Sequence, residues 1–78
     1  MSSSTESPLE VQFHQALLAL QAGQPLQAQA LFGALVAQYP ECKEAWYQLG
    51  ELAQQSGELT QAIEYYSKAL ALVEHKLD

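Results

Sequence analysis

WYQLGELAQQSGELTQAIEYYSKALAL, residues 46–72, is the stretch whose reading decides the fold. Trp46, Leu49 and Gly50 precede Gly57, and Ala62, Tyr66 and Ala69 follow it, so apolar and small residues recur at helical spacing on both sides of one glycine. The spacing predicts two short helices. The first runs from about Lys43 to Ser56 through Ala45, Trp46, Leu49, Leu52 and Ala53, and Gly57 closes it. The second runs from about Leu59 to His75 through Ala62, Ile63, Tyr66, Leu70 and Val73, with no Pro or Gly to end it.

Upstream, Met1 to Glu6 is a polar, Ser-rich segment expected to be a disordered tail. Ser7-Pro8-Leu9-Glu10 is a helix start: the serine can accept from the Glu10 N–H, Glu10 can reach back, and Pro8 sits where its missing N–H costs nothing. Leu9, Phe13, Ala16, Leu17 and Leu20 then mark one buried helical face, ended by Gly23 in a left-handed conformation. Gln24-Pro25 restarts the chain. Leu26, Ala28, Ala30, Leu31, Phe32, Leu35 and Val36 make a second helix, apolar around most of its circumference, until Tyr39-Pro40 stops it. A helix of that kind needs neighbours on more than one side. Glu41 to Lys43 is a connector.

An offset of 34 residues carries Leu18 onto Leu52, Ala19 onto Ala53, Gly23 onto Gly57, Ala28 onto Ala62 and Phe32 onto Tyr66. Matching breakers and small residues at one period mean two copies of a helix-turn-helix unit. The chain resembles the tetratricopeptide repeat (TPR) family, whose signature Trp46, Leu49-Gly50, Gly57, Ala62, Tyr66 and Ala69 reproduce in the second copy. Ala53 departs from the family's Tyr and Glu74 from its closing Pro. The first copy is looser, with Gln12 and Gln15 where Trp and Leu are expected, as a solvent-facing first repeat would require. The resemblance implies an all-α fold of two tandem hairpins, four antiparallel helices in a short right-handed superhelical array. Repeat 1 is expected over 7–41 and repeat 2 over 42–76, with 1–6 and 77–78 as tails. Trp46, Tyr66 and Phe32 are expected in the core. A plain four-helix bundle does not require glycine and alanine at matching points of such a period, and a long coiled coil is excluded by Gly23, Pro25, Pro40 and Gly57.

Composition narrows the function. Nine carboxylates face Lys43, Lys68 and Lys76, with no arginine and a net charge of −6. That balance speaks against nucleic acid and anionic membranes, which need basic side chains to displace counterions from phosphates. Nothing in the sequence approaches the roughly 20 apolar residues of a membrane span or has the form of a secretory signal. Cys42, the single cysteine, allows no internal disulfide. A cytoplasmic location is the expectation.

Candidates for chemistry are few. His14 and His75 lack a second ligand at helical spacing, the glycines do not form a phosphate loop, and Cys42 is expected to be an accessible thiol of ordinary reactivity. No catalytic role, metal or cofactor is expected.

In TPR proteins the first helix of each repeat lines a concave groove that takes peptides or helices of partners. The resemblance and helical spacing place Glu10, Phe13, Leu17, Leu20, Glu44, Tyr47, Glu51 and Gln54 on that face. The family subgroup that clamps acidic chaperone tails uses Lys, Arg and Asn there, whereas this chain has Phe13, His14, Tyr47 and Gln48, so an apolar partner of neutral or basic character fits better. Stable arrays usually need about three repeats. Ile63, Leu70, Val73 and Leu77 should therefore leave a face for a homodimer, a partner helix or the next segment of a longer protein. The functional expectation is a non-enzymatic protein-interaction module, with self-assembly through the last helix, or a regulatory domain of a larger enzyme, as alternatives.

Overall fold

Four helices are joined by short turns in the computed structural model, which describes the backbone of residues 7–76 and the side chains of 7–73: α1 (Pro8–Gln21), α2 (Pro25–Gln38), α3 (Lys43–Gln55) and α4 (Leu59–Lys76). No strand occurs among the described residues. The two tails expected at the ends lie outside them, as does Leu77.

Local chemistry sets each boundary. Ser7 Oγ accepts from the Glu10 N–H at 3.2 Å and Glu10 Oε1 accepts from the Ser7 N–H at 3.3 Å, a reciprocal cap with Pro8 at the first helical position. At the other end Gly23 has φ 75°, and its N–H and that of Gln24 return to the carbonyls of Leu20 and Ala19. This double closure satisfies carbonyls the helix leaves open and needs a residue without a Cβ at its bend. The α3–α4 turn is the same object moved by the repeat offset: Gly57 has φ 84°, with Gly57 N–H on Gln54 O and Glu58 N–H on Ala53 O.

Short turns make successive helices antiparallel. α1 packs on α2, α3 on α4, and the two hairpins join through α2 and α3. The apolar α2 is thus covered from two sides, as its composition requires, although its outer face stays open and Leu26 is almost fully exposed. Phe32 and Leu35 are the largest completely buried side chains, enclosed with Ala16, Ala28, Ala45, Leu49 and Leu52 in one apolar cluster. Phe13 meets Phe32 edge-on, with ring centroids 5.6 Å apart.

Small residues set the helix crossings. Ala16 and Ala28 in the first hairpin correspond to Gly50 and Ala62 in the second, and all four are buried. At Gly50 the fit is tightest, because a Cβ there would lie 2.7 Å from the Tyr66 ring. Trp46 and Tyr66 are not core residues as expected: both are half-buried, as edge packing of the hairpin leaves one side of each ring open. Trp46 lies against Tyr65, donates from Nε1 to Pro40 O at 2.8 Å and has Lys68 Nζ 5.3 Å from its ring. Its counterpart Gln12 is half-buried and donates to Gln38 Oε1 at 2.9 Å.

Two stability outcomes follow from these contacts. Ser7→Ala should cost about 1 kcal/mol in urea unfolding, the usual value of a lost side-chain cap. Gly50→Ala should destabilise the native protein by about 1 kcal/mol, because overpacking against Tyr66 outweighs the gain in helix propensity. In a Tyr66→Ala background the sign should reverse, with Gly50→Ala stabilising by about 0.5–1 kcal/mol.

Candidate functional site

An open groove of about 530 Å³ runs between α3 and α4. Tyr47 and Gln48 form one wall, Tyr66, Ala69, Leu70 and Val73 form the other, and Phe13 of α1 closes one end beside Lys43 and Glu44. Its lining is almost wholly apolar. Leu70 is 57% exposed and Val73 36%. Ile63, 65% exposed, continues the stripe along α4, since Ile63, Tyr66, Leu70 and Val73 fall three or four residues apart.

Two phenols shape the groove. The rings of Tyr47 and Tyr66 pack with centroids 5.5 Å apart, inclined by 54°, and the Tyr66 hydroxyl donates to Gln54 Oε1 at 3.0 Å. Tyr47 donates to the Glu51 carboxylate. That bond first, and then the Glu51 charge, raise its pKa above the usual phenol value, because both favour the protonated form. Tyr47 therefore stays neutral at physiological pH.

A second hollow lies alongside, lined by Glu10, Phe13, His14 and Leu17 of α1 with Cys42 and Glu44. The residues expected on the concave face thus divide. Glu10, Phe13, Leu17, Glu44 and Tyr47 come together around two hollows that share Phe13 and Glu44. Leu20 packs against the core, and Glu51 and Gln54 hold the two tyrosine hydroxyls. None of these last three lines either hollow.

Cys42 corrects another expectation. The thiol is buried at the start of α3, with Sγ 3.9 Å from Glu44 Oε1. Burial pushes its pKa up, and the carboxylates of Glu44 and Glu41 push the same way, against backbone hydrogen bonds from Ala45 and Glu44. It is a packed thiol, less ionised than an exposed one. Among the described residues no group of three or more His, Cys, Asp or Glu is placed to hold a metal, and no helix is long and apolar enough to cross a membrane.

Gln48 lines the groove as its place beside Tyr47 indicates, whereas Tyr66 and Ala69 line it although helical spacing alone gives them no such place, and the repeat offset is the signal that points to them. It pairs Tyr66 with Phe32, Ala69 with Leu35, Leu70 with Val36 and Val73 with Tyr39. In the first hairpin Phe32 and Leu35 are 0% exposed and Val36 is 8% exposed. They are covered because α3 lies on them, its Ala45, Leu49 and Leu52 belonging to the same buried cluster. The face that α4 presents to solvent is therefore the repeat-equivalent of one that α2 presents to a helix.

Neither a curated protein sequence nor a solved structure gives a significant match to the chain. A family model described as tetratricopeptide repeat matches residues 13–75, across both hairpins and the turns that join their helices. With that match over most of its length, and with the paired helices and small-residue crossings described above, the chain belongs to the tetratricopeptide repeat family.

Proposed function

We propose that this chain is a protein-interaction module that receives an amphipathic helix in the groove between α3 and α4. Repeats of this family generally mediate protein–protein interaction and are typically non-catalytic scaffold modules. The observation that carries the reading is internal: the equivalent face of the first hairpin, on α2, is covered by α3, whose Ala45, Leu49 and Leu52 share a buried cluster with Phe32, Leu35 and Ala16. A ligand helix for the open groove has the same pattern, small or apolar residues at i, i+4 and i+7 against Tyr66, Ala69, Leu70 and Val73.

Energetics support a helix over an extended strand. The groove offers no backbone edge to pair with, so a bound segment must satisfy its own backbone hydrogen bonds, which a helix does internally. Covering Leu70, Val73 and Ile63 removes apolar surface from water at about 25 cal/mol per Å². Charge acts at the rim: the net charge of −6 favours approach of a neutral or basic segment. The neighbouring hollow around Glu10, His14 and Leu17 is more polar and lies past Phe13, outside the stretch the helix covers.

A side-chain-stapled peptide of the α3 sequence, residues 43–55, is a direct probe. It should bind the intact chain saturably by fluorescence anisotropy. Leu70→Glu should weaken binding at least tenfold, about 1.4 kcal/mol, while Leu17→Ala should leave it unchanged. Binding that ignores Leu70→Glu, or that responds to Leu17→Ala instead, would move the site out of this groove.

A further inference from the structure

We infer that a second copy of this chain supplies the helix, docking its α1 into the α3–α4 groove of the first so that copies stack head to tail. This rests on reading that groove as a helix site, and it adds the identity of the occupant. The repeat offset carries the docking stripe of α3, Ala45, Leu49 and Leu52, onto Val11, Gln15 and Leu18 of α1. Val11 is 38% exposed, Leu18 is 48% exposed and Gln15 is exposed. Among the described residues, the chain therefore makes this interface once inside itself and leaves each half of it exposed, one on α1 and one on α4.

The substitutions between the internal interface and its open halves compensate one another. The start of α3 lies beside Tyr39, whose carbonyl accepts from the Cys42 N–H, and its far end lies beside Pro25, Leu26 and Gln29, which form a hollow with Leu52. Transferred to the stack, the first end sets Val11 in place of Ala45 against Val73 in place of Tyr39. A larger residue enters where a smaller one now faces it, which keeps the volume filled. In the middle, Gln15 replaces Leu49 where Tyr66 replaces Phe32, so the polar newcomer meets the chain's own hydroxyl-bearing ring. At the far end Leu18 repeats Leu52, opposite Leu59, Thr60 and Ile63 in place of Pro25, Leu26 and Gln29, so that two aliphatic side chains still face it. Each copy carries −6, so overall charge works against association, but little of that charge lies on the docking half, where Glu10 is the only formally charged residue between Ser7 and Pro40.

Such an interface joins two different patches and does not close on two copies, so the stack grows with concentration. Each added copy gives its neighbour the further repeats that arrays of this kind need for stability.

Sedimentation velocity from micromolar to millimolar chain, with two blocked variants, tests this. The wild-type average mass should rise continuously past that of a dimer. Val11→Glu with Leu18→Glu blocks the head, Leu70→Glu with Val73→Glu blocks the tail, and each should stay monomeric with an unchanged helical circular-dichroism signal, all four side chains being exposed. Their equimolar mixture should form a one-to-one dimer that grows no further. Leu18→Ser should give the same arrest if the double glutamate disturbs α1. A wild-type monomer at millimolar concentration would overturn the inference and leave the groove to the stapled-peptide result. A dimer that survives the head block and is lost with the tail block would also overturn it, in favour of two α4 faces meeting in a single groove-to-groove contact. A mixture that fails to pair would overturn it as well.

Discussion

Phe32 and Leu35 are sealed from solvent where α3 lies across α2 and completes the cover that α1 begins, and most of the structure depends on that contact. A hairpin of two antiparallel helices has one surface between its helices and another that it cannot cover by itself. The first hairpin solves this with α3, whose Ala45, Leu49 and Leu52 complete the cluster around Phe32. A small domain has little core to spare, so losing this contact would open the two largest buried side chains together. The second hairpin repeats the arrangement with no further helix across it among the described residues. The same constraint that gives the chain its core at one end gives it an apolar groove at the other.

Within the second hairpin, Tyr66 links packing to recognition. Its ring lies over Gly50 where α3 and α4 pack, packs at a tilt against Tyr47 and anchors through Gln54, while its open side forms part of the groove wall. In the first hairpin the same position holds Phe32, buried and without a hydroxyl. The change to Tyr suits a ring half in water, since its polar tip finds a partner while its body still packs. Tyr47 is held by its ring contact with Tyr66, while the Glu51 carboxylate beside it favours its protonated hydroxyl. The groove is thereby preorganised, which lowers the ordering cost of binding.

The helix boundaries were legible in the sequence because the signals are local. Ser7, Pro8 and Glu10 cap through atoms three residues apart, and Gly23 and Gly57 bend the chain through their own φ. The site was legible in part. Phe13, Tyr47 and Glu44 converge as helical spacing indicates, because they share a face whichever helix lies opposite. Leu20, Glu51 and Gln54 share that periodicity but line neither hollow: Leu20 packs inward, Glu51 faces the Tyr47 hydroxyl and Gln54 accepts from that of Tyr66. Cys42 reads as a connector residue and lies buried, since the connector is pressed against the hairpin junction.

By itself the sequence determined four helices, two glycine turns, a period of 34 residues and the small residues at each helix crossing, because these follow from backbone preference and from spacing along one chain. Only the tertiary structure decided which of two similar apolar faces is core and which is surface. Val36 and Leu70 occupy the same position in their repeats, yet one is 8% exposed and the other 57%. The difference lies in whether a third helix crosses them, and burial is set by what packs from elsewhere in the chain.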